Sequence, residues 1–144
     1  MELRAADILL EEVPGLKISL SHEIGRVGFL ERENATIMNA CLADLSIKVV
    51  DSFRTALLEK GIKAPFYISQ NDGTLMTPKH VERYPVLTFA SGPTNSMRGA
   101  AFLSGVKDAI VVDIGGTTSD VGSLQKGFPR QATVAVEVGG GRTN

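Results

Sequence analysis

The run Ala109-Ile110-Val111-Val112-Asp113-Ile114 breaks at Gly115-Gly116-Thr117-Thr118, and Ser119-Asp120-Val121 opens a second β-prone segment. β-Branched residues favour a pleated strand, and a Gly-Gly break between two such segments turns the chain back on itself. A hairpin is expected here, with a sheet around it and other elements to cover that sheet. This one stretch constrains the fold more than any other part of the chain.

It also carries chemistry. A polyphosphate needs backbone N–H groups that approach its oxygens closely, and glycine permits both the approach and the positive φ that gathers successive N–H groups into one concavity. Gly115 and Gly116 are expected to do both, and the hydroxyls or N–H groups of Thr117 and Thr118 would add donors. A carboxylate beside an anion site makes sense with a cation between them. Magnesium is held by one or two carboxylates together with substrate phosphates, which points to Asp113 at the strand end and to Asp120. The same residues also write an ordinary hairpin, with glycines for the turn and threonines for strand propensity. Both readings stand on these residues alone.

Composition narrows the class. The chain has 144 residues, 43% hydrophobic and 22% charged, enough for a globular domain with a core. A formal net charge of −1 gives no electrostatic argument for nucleic acid or an anionic membrane. No apolar run approaches a membrane span, and Met1-Glu2-Leu3-Arg4 does not open a signal peptide. Cys41 is the one cysteine, which excludes an internal disulfide; at an apolar helical position it reads as a buried inert thiol. Together these features suggest the cytoplasm. His22 and His80 are the two histidines. With no Ser-His-Asp set and no metal-spaced His/Cys cluster, a side-chain nucleophile or zinc-bound water is disfavoured.

Periodicity supplies the expected elements. Leu3, Ala6, Leu10 and Val13 mark a short amphipathic helix stopped at Pro14-Gly15, and Leu16 to Leu20 alternates as a strand. His22 and Glu23 follow at the strand end, where α/β folds place ligands, but they read equally as a solvated loop pair. From Asn34, as cap, to Lys60, before Gly61, the pattern is one long helix. Ile37, Cys41, Leu45, Val49, Phe53 and Leu57 form its apolar stripe, expected to face the core. Pro65 to Ser69 reads as a strand parallel to the earlier one, Asn71-Asp72-Gly73 as a turn, and residues 77 to 90 as an irregular crossing. A helix occupies Met97 to Ser104, with Pro93 or Thr94 near its start and Gly105 at its end. Its positive end would lie by Ser91-Gly92-Pro93 and favour an anion. After the hairpin, Lys126-Gly127 turns the chain into a third meander strand over Thr133 to Val138. Gly139 to Asn144 reads as a tail or the start of a loop.

Asp113-Ile114-Gly115-Gly116-Thr117-Thr118-Ser119-Asp120-Val121 resembles the Asp-x-Gly-Gly-Thr-x-x-Asp-Val element of the hydantoinase A/5-oxoprolinase family, within the actin, Hsp70 and sugar-kinase superfamily. Ser91-Gly92-Pro93 is similar to that family's Ser-Gly-Pro loop, and Ser19-Leu20-Ser21-His22-Glu23-Ile24 to its Ser-His-Glu-Val segment. Glu31-Arg32-Glu33-Asn34-Ala35-Thr36 with Asn39-Ala40 resembles its Glu-Arg-x-x-Thr-x-x-Asn-Ala helix entry. Order and spacing agree over nearly the whole chain. Two departures stand out: Thr94-Asn95-Ser96 replaces the common Ala-Gly-Gly, and one phosphate element is present where the family carries two.

The resemblance implies an α/β protein, part of an actin-like (ribonuclease H-like) ATPase fold. Residues 1–90 would be the C-terminal part of the first lobe, 91–105 the interlobe crossing helix, and 106–144 the start of the second lobe, in an internal fragment. It implies a subunit of an ATP-dependent hydrolase of cyclic amides such as hydantoins or 5-oxoproline, working with a second, hydantoinase B-type subunit. The cofactors would be ATP and Mg2+. Asp113 and Asp120 would be the catalytic and metal-holding carboxylates, and Gly115, Gly116, Thr117, Thr118, Ser91 and Gly92 the cofactor-binding residues. The isolated polypeptide would show no turnover. Another superfamily kinase, an acetone-carboxylase-like subunit, or a noncatalytic interaction domain are the alternative expectations.

Overall fold

Glycine and proline set most of the element boundaries in the computed structural model, which describes residues 1–25, 28–130, 136–138 and 140–143. Helix α1 (Glu2–Glu12) stops before Pro14 and Gly15, the latter at φ +87°. A single helical turn, α2 (Ser21–Ile24), precedes the long helix α3 (Leu30–Glu59), which ends at Gly61 in the left-handed region, φ +69°. Strands β1 (Ile68–Ser69) and β2 (Leu75–Met76) form a small antiparallel hairpin. Helix α4 (Pro78–Arg83), a 3₁₀ turn (Pro85–Thr88) and helix α5 (Ser91–Ser104) follow. Strands β3 (Ala109–Ile114), β4 (Ser119–Gln125) and β5 (Phe128–Pro129) make a three-stranded antiparallel sheet in that order. Strands β6 (Val136–Val138) and β7 (Gly141–Thr143) pair separately.

The chain divides into two compact units. The first contains α1, α2, α3, the Glu82–Val86 segment and the β6–β7 hairpin; the second contains Lys63–Val81 and Leu87–Ala132. The architecture is mixed α/β. No helix among the described residues is long and apolar enough to cross a membrane.

In the first unit the anchor is polar. Asn39, 2% exposed on α3, donates through Nδ2 to Ser19 Oγ and to the Arg83 carbonyl, both at 3.0 Å, while its Oδ1 accepts the Val86 N–H at 3.3 Å. One amide thus ties together three segments distant in sequence, and its burial is compensated by the bonds it makes. Beside it, Glu23 accepts from Arg83 at 2.7 Å and from the Tyr84 hydroxyl at 2.8 Å. Glu2 accepts from the Ser21 hydroxyl, and its other oxygen lies 2.6 Å from His22 Nδ1 and accepts the His22 N–H at 3.2 Å. Gly25 is needed for packing: a Cβ there would fall 2.3 Å from Arg32 Cγ and 3.0 Å from its Cα.

Several expectations are corrected. Residues 16–20 form no strand, so β1 has no earlier strand to join in parallel and pairs antiparallel with β2. Residues 77–90 are largely helical, and α5 begins at Ser91. Asn34 lies inside α3, whose N-cap is Phe29. The stripe assigned to the core is mostly solvent-facing: Ile37, Leu45, Val49, Phe53 and Cys41 are exposed, and Ala35, Asn39, Ser46 and Val50 are buried instead. The reason is geometric. Each i+4 step rotates about 40° around a helix, so six such positions wind through about 200° and cannot all meet one neighbour. Ala35 and Ser46 on the buried side are small, and Asn39 is buried there with its amide hydrogen-bonded to Ser19, Arg83 and Val86. The third meander strand is β5, not Thr133 to Val138; residues 131–135, 139 and 144 lie outside the described residues, while 136–138 and 141–143 pair with each other.

Candidate functional site

The β3–β4 hairpin forms as its residue pattern requires, with unbroken register from Ala109↔Leu124 to Ile114↔Ser119. Gly115 N–H donates to the Thr118 carbonyl at 2.9 Å and closes the tip. Gly115, Gly116, Thr117 and Thr118 are all exposed there. Neither glycine has a positive φ, which corrects the expectation that they shape a concavity that way. A Cβ on Gly115 would make an ordinary 3.4 Å contact with the Thr118 oxygen, and one on Gly116 would meet nothing within 4 Å. Neither turn conformation nor packing within the chain demands glycine at 116.

Asp113 and Asp120 are cross-strand partners. Side chains of directly opposed residues project from the same face of a sheet, so the two carboxylates stand side by side just behind the glycine tip. Asp113 is half-buried and Asp120 exposed. Like charges in that relation oppose pairing, and a cation between them removes the opposition. The described residues contain no group of three or more His, Cys, Asp or Glu able to hold a metal; a cation at this pair would need further ligands from phosphate or water.

Helix α5 packs on the face that carries the aspartates. Gly122, on that face, sits under Met97: a Cβ there would fall 2.3 Å from Met97 Sδ. A glycine inside a strand signals such an approach. Arg98 donates to the Gly127 carbonyl and lies 4.1 Å over the Phe128 ring, while Thr94, buried, donates to the Asn71 carbonyl at 2.9 Å. These contacts fix α5 against the sheet. Its first turn is Ser91-Gly92-Pro93, after Ala90 at φ +56° and without a side-chain cap. The first N–H groups of a helix have no intrahelical partner. Among the described residues no hydrogen bond ties Ser91 or Gly92 to the hairpin tip, so the structure brings together Asp113, Asp120 and residues 115–118 and leaves Ser91 and Gly92 on a separate element.

His22 and Glu23 belong to the clasps of the first unit. Ser21, and then His22, hold the Glu2 carboxyl down at about 2, and the Tyr84 hydroxyl, with Arg83, holds Glu23 below the usual carboxylate range. Asn39, Met97, Thr94 and Arg98 were not singled out from the sequence as packing residues. Gly122 within a strand was the available signal for Met97.

Comparison with known proteins shows which family the chain resembles. The chain is 28% identical over 143 residues to the uncharacterized protein MJ0964 of Methanocaldococcus jannaschii, covering 96% of the chain and 21% of that protein. It is 31% identical over 134 residues to the acetone carboxylase beta subunit of Xanthobacter autotrophicus, and 25% over 130 residues to the caprolactamase subunit alpha of Pseudomonas jessenii. Each alignment covers 88% of this chain and 18% of the relative. The chain thus spans about a fifth of the length of the curated relatives it matches. A family description, hydantoinase/oxoprolinase, matches residues 32–144, a span that takes in Asn39, α5 and the aspartate hairpin. The chain belongs to the hydantoinase/oxoprolinase family.

Proposed function

We propose that this chain contributes a phosphate-binding element to an ATP-dependent hydrolase of cyclic amides. The observation that carries the reading is the in-register Asp113–Asp120 pair directly behind an exposed tip whose Gly116 has open space around it. Backbone N–H groups and the hydroxyls of Thr117 and Thr118 would meet phosphate oxygens, and Asp113 and Asp120 would orient Mg2+ or its waters. ATP, when bound, would supply a phosphoryl group to the amide oxygen, making the ring carbonyl carbon electrophilic enough for attack by water. The chain's own part is positioning and charge neutralisation, which account for most phosphoryl-transfer catalysis. Ser91 and Gly92, at the positive end of α5, are the second proposed phosphate contact. On this reading the fold is actin-like, with residues 1–90 in one lobe, 91–105 crossing, and 106–144 opening the next.

The relatives' names support a substrate class and a partner. A caprolactamase alpha subunit supports a cyclic amide and a second subunit. The acetone carboxylase beta subunit, at 31% identity, supports a second reading in which the same element serves a carboxylase. The hairpin chemistry is common to both.

Calorimetric titration with Mg·ATP tests the shared element. Gly116→Val places its side chain in open space, so it should leave folding intact while blocking the ligand's approach to the backbone. Binding by the parent chain that is lost in Gly116→Val, at unchanged thermal stability, is the expected result. No binding by the parent chain, or equal binding by the variant, would remove the assignment.

A further inference from the structure

Gly122 stands in the interior of β4. Glycine there weakens a strand, because it has more backbone freedom to lose and no side chain to pack. Met97 takes the place of the missing side chain. A Cβ on Gly122 would fall 2.3 Å from Met97 Sδ and 2.4 Å from its Cε, so the end of the thioether lies where that side chain would stand.

The register shows what lies next to it. Val111↔Gly122 is the pair that follows Asp113↔Asp120 on the same face, two residues along each strand, or about 7 Å. Running back from the tip, this face carries the two carboxylates, then Val111 with Met97 over Gly122, then Ala109 and buried Leu124. The carboxylates are the only charged groups that the two strands place there. Magnesium takes oxygen ligands, and neither an aliphatic group nor a thioether sulfur supplies one. A cation at the pair would therefore find no ligand on the Met97 side. On the other side, residues 115–118 are exposed to an incoming oxyanion.

We propose that Met97 is a positioning residue of the aspartate pair: seated on Gly122, it closes the pair from behind, so that the remaining ligands of a bound cation come from the side of the glycine tip. The inference rests on the phosphate reading and adds a direction of approach to it. A phosphate that completes the cation's shell from that side meets the tip donors at the same time. Met97 itself acts through the carboxylates and contributes no ligand.

Manganese, which also takes carboxylate and water oxygens, serves as a paramagnetic substitute for magnesium. On the full 144-residue chain with 13C-labelled methionine methyl groups, Mn·ATP should broaden the Met97 methyl resonance, and Asp120→Asn should abolish that broadening. In calorimetric titration, Met97→Ala should raise the Mn·ATP dissociation constant roughly threefold or more. Met97→Leu, which keeps an apolar group of similar volume, should hold it near the parent value. Leu124→Val, a packing change on the same face but farther from the carboxylates, should leave it unchanged. Far-UV circular dichroism must match the parent in every variant compared; if Met97→Ala fails to fold, the methyl broadening and its loss in Asp120→Asn decide. Mn·ATP binding without broadening of Met97, parent affinity in Met97→Ala, or equal weakening by Leu124→Val would overturn this inference and leave the phosphate reading in place. A parent chain that does not bind Mn·ATP would overturn both.

Discussion

Asp113 stands directly opposite Asp120 across the hairpin, two carboxylates on one face with the glycine tip just beyond them. Opposed like charges weaken a strand pair and attract a cation, so one substitution should move stability and binding in opposite directions. Asp113→Asn is expected to raise unfolding free energy by about 0.5 kcal/mol without ligand and to weaken Mg·ATP binding. Urea unfolding paired with calorimetric titration measures both, and a loss of stability with unchanged binding would count against a cation between the two residues.

Asn39 holds Ser19, Arg83 and Val86 through one buried amide. Asn39→Ala leaves the Val86 N–H and the Arg83 carbonyl without this partner and opens a small gap, at a cost of about 3 kcal/mol. Asn39→Asp retains an acceptor for Val86 but buries a charge and loses both donors. It should be at least as destabilising at neutral pH and recover partly on acidification. Chemical denaturation at two pH values separates these effects.

Two glycines should differ in cost. At Gly25 a Cβ meets the stem and backbone of Arg32, whereas at Gly122 it meets the flexible end of Met97. Gly25→Ala is expected to cost about 2 kcal/mol and Gly122→Ala about 1 kcal/mol. Met97→Ala should relieve the second and not the first, so the Gly122/Met97 double-mutant cycle is non-additive while the Gly25/Met97 cycle is additive.

Acid should loosen the first unit at the Glu2 clasp. The Glu2 carboxyl is held at about 2 in the folded chain, below its ordinary 4.5, by Ser21 and His22. A depressed folded pKa contributes stability that is fully present above the unfolded value and is lost as pH falls toward the folded one. The window therefore runs from about pH 4.5 down to about 2. Glu2→Gln should flatten the stability profile there; an unchanged slope would mean that the clasp does not form in solution. Glu23, lowered by Tyr84 and Arg83, acts with the same sign.

The readable parts of the chain are those in which neighbours in sequence decide the structure. Gly61 and Gly105 end their helices with positive φ, Asn71-Asp72-Gly73 and Lys126-Gly127 turn the chain, and residues 109–124 form the hairpin. The same local chemistry made the aspartates and the glycine tip visible as a candidate site. Their adjacency follows from a strand period of two and a short turn, with no distant partner involved.

Other features depended on what each segment meets. Leu16 to Leu20 alternates as a strand does, but a strand exists only where another backbone supplies its hydrogen bonds, and none of the described residues pairs with it. The direction in which α3 buries itself was hidden because its largest side chains spiral around the helix, while contact is made by small Ala35 and Ser46 and by Asn39, whose amide partners lie 20 and 44 residues away. Met97 over Gly122 is likewise a long-range fit. Turn chemistry and strand alternation are properties of adjacent residues and were present in the sequence; burial, strand partnership and close packing are properties of pairs brought together from afar, and they exist only in the folded chain.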